Sequence, residues 1–177
     1  MQHSHRTEEE LRRLENLLVH LEEVHHKNLL NALHEVERDL VIAEKPLDKH
    51  SVRIEELSNK FAEIKNEIPV LVKTETRMIF PHIRAVIAGI DSATAQRDYN
   101  NLASPVRSLI IHHHQLLDKI KSLLQLVTAL GYSGFSGKEY VESYIALYNF
   151  YSFYEKQIYL EENILFPSLV HAFEMRD

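Results

Sequence analysis

Apolar residues recur at steps of three and four along nearly the whole chain, the rhythm of α-helices seen from one side. Ile54, Leu57, Phe61, Ile64, Ile68, Leu71, Glu75 and Met78 form one such run and predict a continuous helix face. Val106, Leu109, His113, Leu116, Ile120, Leu123, Val127 and Leu130 form a second. Tyr144, Leu147, Tyr151, Tyr154, Ile158, Glu161 and Leu165 form a third. An earlier helix, from about Thr7 to Glu44, carries Leu29, Leu33, Val36 and Leu40 on one face with His26 at its upper end. His25 falls on the neighbouring stripe through Leu14, Leu18 and Leu21, so the pattern leaves both histidines open as the inward one.

Punctuation supports four long helices. Asp48 or Ser51 is positioned to cap the second, and Pro69 and Pro81 are expected to kink or end it. The third is expected to open with Ser104 as N-cap and Pro105 at the first helical position, and to close on Gly131. "GYSGFSG" reads as a tight loop, and the fourth helix runs from near Gly137 to about Phe166. The stretch from Arg84 to Ala103 joins the two halves, with room for a short helix. The expectation is an all-α, up-down-up-down four-helix bundle forming a single domain over 1–177, with a flexible N-terminus over 1–10. No strand alternation or low-complexity segment interrupts the pattern.

Composition narrows the function. The 177 residues are enough to bury a sizeable core, and four Gly and five Pro suit long elements with few loops. The absence of Cys excludes disulfides, thiolate metal sites and thiol chemistry. A net charge of -6 without a long basic run argues against nucleic-acid binding. No apolar run approaches a membrane span or a signal-peptide core, so a soluble, cytoplasmic protein is expected, monomeric or homodimeric. The unusual count is 12 His, gathered partly in "VHHKN" and "IIHHHQ".

Polar residues inside the apolar stripes carry the chemistry. Glu75, His113 and Glu161 stand at positions meant for hydrocarbon, with His26 as the fourth. A buried carboxylate without a partner costs several kcal/mol or takes up a proton. Two Glu and two His, one per helix, can meet at one level of a bundle core, where carboxylates and imidazoles hold paired metal ions. The chain also repeats itself. "TETRMIFP" and "LEENILFP" each set a Glu four residues before a bulky aliphatic and follow it with Phe-Pro. His26 precedes Glu75 by nearly the same interval as His113 precedes Glu161, so the chain reads as two matching helical hairpins. The plainer alternative is a buried Glu–His ion pair with no metal. His112 and His114 fall on the flanks of His113, because a helix turns about 100° per residue. His3, His5, His20, His34, His50, His82 and His171 read as surface, and the fourth-helix tyrosines as packing.

"QIYLEENILFP" resembles the terminal signature of hemerythrin-like HHE cation-binding domains, nearest the form found in di-iron iron–sulfur cluster repair proteins. "LVKTETRMIFP" resembles a first copy of that signature, and "PVRSLIIHHHQLLDKI" the start of the family's third helix. The resemblance implies His26 and His113 as imidazole ligands, Glu75 and Glu161 as bridging carboxylates, and a non-haem di-iron centre binding O₂, NO or peroxide or handling iron under stress. It also marks two departures: Leu71 and Gln157 stand where each signature has a His. The repair proteins' Cys-bearing segment has no counterpart. Three functions follow: a divergent di-iron protein, a metal-free interaction or sensor module of the same shape, and a mononuclear Zn²⁺ or Fe²⁺ site. His25, His112, Tyr154 and Tyr159 are candidates to compensate for the missing ligands.

Overall fold

The computed structural model describes residues 2–44, 52–89, 94–132 and 137–174. They form α1 (Gln2–His20), α2 (His26–Glu44), α3 (Val52–Thr74), α4 (Phe80–Ala88), α5 (Ala95–Tyr132), α6 (Lys138–Leu160) and α7 (Phe166–Glu174). Single π-helical turns join α1 to α2 (Leu21–His25), α3 to α4 (Glu75–Ile79) and α6 to α7 (Glu161–Leu165). The four long helices are therefore α1–α2, α3–α4, α5 and α6–α7, and no strand occurs among the described residues. This is the all-α four-helix architecture that the periodicity predicts.

The boundaries differ from expectation in instructive ways. Helical backbone begins at Gln2. The third helix starts at Ala95, so Ser104 and Pro105 lie inside it and do not cap it. Pro105 is tolerated because it and Asn101, whose carbonyl loses its N–H partner, are both exposed to water. Gly131 likewise lies within α5, and its role is space. A Cβ there would meet the Tyr140 hydroxyl at 2.2 Å. Asp48, Ser51 and His50 lie outside the described residues, as do the side chains of His3 and His5.

The π turns explain the repeated Phe-Pro. Proline cannot donate to the carbonyl four residues back, and its ring clashes with that carbonyl in a regular helix. Ahead of Pro81 the N–H of Phe80 bonds the carbonyl of Glu75, and ahead of Pro167 that of Phe166 bonds Glu161. This five-residue reach widens the turn just where the proline needs room. It also shifts the register. Met78, expected in the core, is 58% exposed, and Ile79 is buried in its place. On the fourth helix, within the regular stretch of α6 ahead of its π turn, the core takes Phe150 and Ser143, leaving Tyr144 and Tyr151 half-buried.

By backbone packing the chain divides into two compact units. One comprises Lys27–Val70 and His114–Glu155. Its core is hydrocarbon, built on Leu29, Val36, Leu57, Ile64, Ile68, Leu116, Ile120, Leu123, Leu147 and Phe150. Ser143 and Tyr154 bring hydroxyl groups into it, both fully buried, and the Ser143 hydroxyl donates to the Asp39 carbonyl at 2.9 Å. Lys65 pairs with Glu37, and Lys119 with Glu63 and Glu67, around its rim.

The other unit comprises Met1–His26, Leu71–His113 and Lys156–Asp177. Leu14, Leu18, Leu71, Phe80, Ile83, Leu165 and Leu169 fill it, but it also buries His25, His26, Glu75, His113, Gln157 and Glu161. Arg84 on α4 ties it together, donating through Nε to Glu15 at 2.9 Å and through Nη2 to Glu22 at 2.6 Å. The Glu22 and Glu15 carboxylates hold the guanidinium charged well above its ordinary range. No described helix is long and apolar enough to cross a membrane.

Candidate metal centre

All four residues singled out by the stripes lie in this second unit and meet there. His26 is the first residue of α2, immediately after a π turn; Glu75 and Glu161 each open one; His113 lies within α5. Glu75 sits between the imidazoles. Its Oε2 is 2.8 Å from His26 Nε2 and its Oε1 is 2.9 Å from His113 Nε2. Glu161 Oε2 approaches His113 Nε2 at 3.6 Å. The Gln157 amide nitrogen donates to Glu75 Oε2 at 2.8 Å and to Glu161 Oε1 at 3.0 Å. It lies 3.4 Å from His26 Nε2. Glu75, His113, Gln157 and Glu161 have no solvent exposure, and Leu71 closes the same unit as hydrocarbon.

Neither candidate pair of histidines divides as a simple choice of inside and outside. His25 and His26 are both buried, but it is His26 that reaches Glu75. Burial, then the charges of Lys156, His20 and His26, lower the His25 pKa to about 4. On the α5 run His113 is fully buried, His112 half-buried and His114 exposed, as the 100° step requires. Tyr159 is 57% exposed, so it does not fill a ligand position. His20, His34, His82 and His171 are exposed, as expected.

The electrostatics of the two carboxylates diverge. Burial pushes Glu75 upward, but hydrogen bonds with His113 and His26 outweigh it and hold the carboxyl below its usual range. Burial and the neighbouring Glu75 charge push Glu161 well above that range, with only the Gln157 hydrogen bond opposing. Two groups remain unmet: Glu161 Oε2 and Gln157 Oε1 are buried without a hydrogen-bond partner. Buried polar atoms normally find one.

Two further residues touch the centre from outside the stripes. Thr76 Oγ1 lies 3.3 Å from His26 Nδ1, and Glu162 Oε1 lies 3.2 Å from His113 Nδ1. The Phe80 ring stacks on His26 with centroids 5.6 Å apart. A stripe-by-stripe reading passes over Thr76 and Glu162, because the residue after an inward one points 100° away. Their signal was the repeat itself: each is the polar residue directly after the Glu of its octet.

A helical fold with a buried carboxylate–imidazole cluster defines the class of bundle proteins that hold cations between their helices. The chain matches the family described as Hemerythrin HHE cation binding domain over residues 17–169, and it belongs to that family. No curated protein and no solved structure shows a significant match.

The residues fit the cation that the family implies. His26, Glu75 and Glu161 each direct one ligand atom to within 4.8 Å of the others. The orphaned Glu161 oxygen and the raised pKa of its carboxyl are relieved by a positive charge. Imidazole and carboxylate donors suit iron.

Proposed function

We propose that this is a divergent non-haem di-iron protein, with His26, Glu75, His113 and Glu161 as its ligands. The observation that carries this reading is that the two oxygens of Glu75 each face a different buried imidazole. That is the disposition a bridging carboxylate needs, with one nitrogen donor on either side. Glu161 adds a second carboxylate from the other half of the repeat.

Bound iron supplies Lewis acidity and open coordination positions for O₂, NO or peroxide. The chain's residues set the terms. Glu75 and Glu161 furnish the negative charge, and the two imidazoles take one side each. By the resemblance to the repair proteins, Leu71 and Gln157 stand at positions of His, so the centre would have fewer nitrogen donors and more positions open to a small ligand. Gln157 still offers an oxygen. A half-turn of its carboxamide exchanges Nε2 for Oε1, the atom that now has no partner.

One observation favours a second reading, a metal-free module that retains the shape. The Gln157 amide bridges both carboxylates and so does part of the work of a cation. Metal content decides between them. Untagged protein purified with iron available is analysed for iron per chain, beside Glu75→Ala/Glu161→Ala. About two irons, lost in the double variant, supports the di-iron centre. One ion per chain points to a mononuclear site. Equal content in parent and variant, or none after reconstitution, overturns the ligand assignment.

A further inference from the structure

We infer that Thr76 and Glu162 are paired positioning residues that fix the two imidazoles and make the two sides of the centre chemically unequal. The inference rests on the metal-binding reading of His26, Glu75, His113 and Glu161, and it concerns residues outside that set.

The geometry repeats across the two halves. Each imidazole turns Nε2 inward, to Glu75 at 2.8 Å from His26 and 2.9 Å from His113. Each turns Nδ1 outward, to the side chain that directly follows a Glu: Thr76 at 3.3 Å and Glu162 at 3.2 Å. Both contacts come from the second residue of a π turn whose first residue is the Glu. One widened turn thus delivers a carboxylate to the inner edge of the site and a polar group to the outer edge of an imidazole. A ring contacted at both nitrogens is fixed in its rotation. With Nε2 given to a metal, Nδ1 carries the proton and donates it outward.

The two outer partners are not the same. Thr76 offers a neutral hydroxyl. Glu162 offers a carboxylate, 15% exposed and therefore only partly screened by water. A carboxylate behind a ligating imidazole raises the basicity of its inward nitrogen, whereas a hydroxyl does so far less. His113 is therefore the stronger donor, and the ion on its side is held more tightly than the ion beside His26. Unequal sides favour sequential loading and a single more labile ion.

The test is competition of Zn²⁺ against a chelator, with Glu162→Gln, Glu162→Leu and Thr76→Val beside the parent. Zn²⁺ is diamagnetic, so the His113 Nδ1 proton is read by NMR in the same samples. Glu162→Gln keeps an acceptor and removes the charge; it is expected to lose about tenfold in affinity, and Glu162→Leu about 100-fold. Thr76→Val is expected to weaken only the looser ion. The Nδ1 proton is expected to be slowly exchanging in the parent and lost in Glu162→Leu. Equal affinity in parent and Glu162→Leu, with the proton signal unmoved, overturns this inference alone. A parent that binds no Zn²⁺ or iron overturns it together with the metal-binding reading.

Discussion

Glu161→Gln should act in opposite directions with and without metal. In chelated protein Glu161 is a fully buried carboxyl with one oxygen unmet and a second carboxylate nearby. Its pKa is raised by burial and by Glu75, so its favourable, protonated form prevails at low pH and is lost as pH rises through the raised value. Glutamine keeps the acceptor for Gln157 and carries no charge at any pH. An unsatisfied buried polar group costs about 1–3 kcal/mol. For a chain of this size each kcal/mol moves Tm by about 2–4 °C. Glu161→Gln is therefore expected to melt roughly 5 °C above the parent at pH 8 in chelator. The gap should close as pH falls through the raised value, where the parent's carboxyl takes up its proton. With metal the order reverses. A ligand at 100 times its Kd adds about 2.7 kcal/mol, and the variant loses most of that gain with its anionic donor. The assay is thermal melting of both proteins across pH, with chelator and with Fe²⁺. A variant less stable than the parent in chelator at pH 8 would refute the burial argument. A full metal-induced shift in the variant would refute Glu161 as a ligand.

Three other outcomes are expected. Gln157→His places an imidazole against Glu75 and Glu161, and should slow chelator-driven loss of Fe²⁺ or Zn²⁺ about tenfold or more, some 1.4 kcal/mol, measured by competition. Arg84→Ala removes charged hydrogen bonds to Glu15 and Glu22 and should lower stability by about 1–2 kcal/mol in denaturant melts, less at high salt. Ile64→Ala hollows the hydrocarbon unit and should cost about 2–5 kcal/mol while leaving metal stoichiometry intact, which elemental analysis reads.

Periodicity alone determined the helical class and most of the core. Leu29, Leu33, Val36, Ile64, Ile68, Leu116, Ile120 and Leu123 are all buried where their stripes put them. A helix face is set by the 3.6-residue repeat, and burial follows from it. The same logic brought out Glu75, His113 and Glu161, since a polar residue in an apolar stripe is conspicuous. Helix ends were less legible. Pro105 resembles a start, but solvent around it lets the helix pass through.

What the sequence could not show was where the regular repeat breaks. Three π turns move the register by one residue, exchanging Met78 for Ile79 and burying His25 beside His26. No stripe counts an extra residue; only the folded backbone decides it, at two of the three turns by making room for a proline. The contacts of Gln157, Thr76 and Glu162 belong to the tertiary structure for the same reason. Gln157 looked like a ligand lost, yet its amide joins the two carboxylates. Thr76 and Glu162 lie off every apolar face, and their meaning is set by an imidazole edge on another helix. Burial is a property of one helix and its period; hydrogen-bond partnership is a property of two helices and their register.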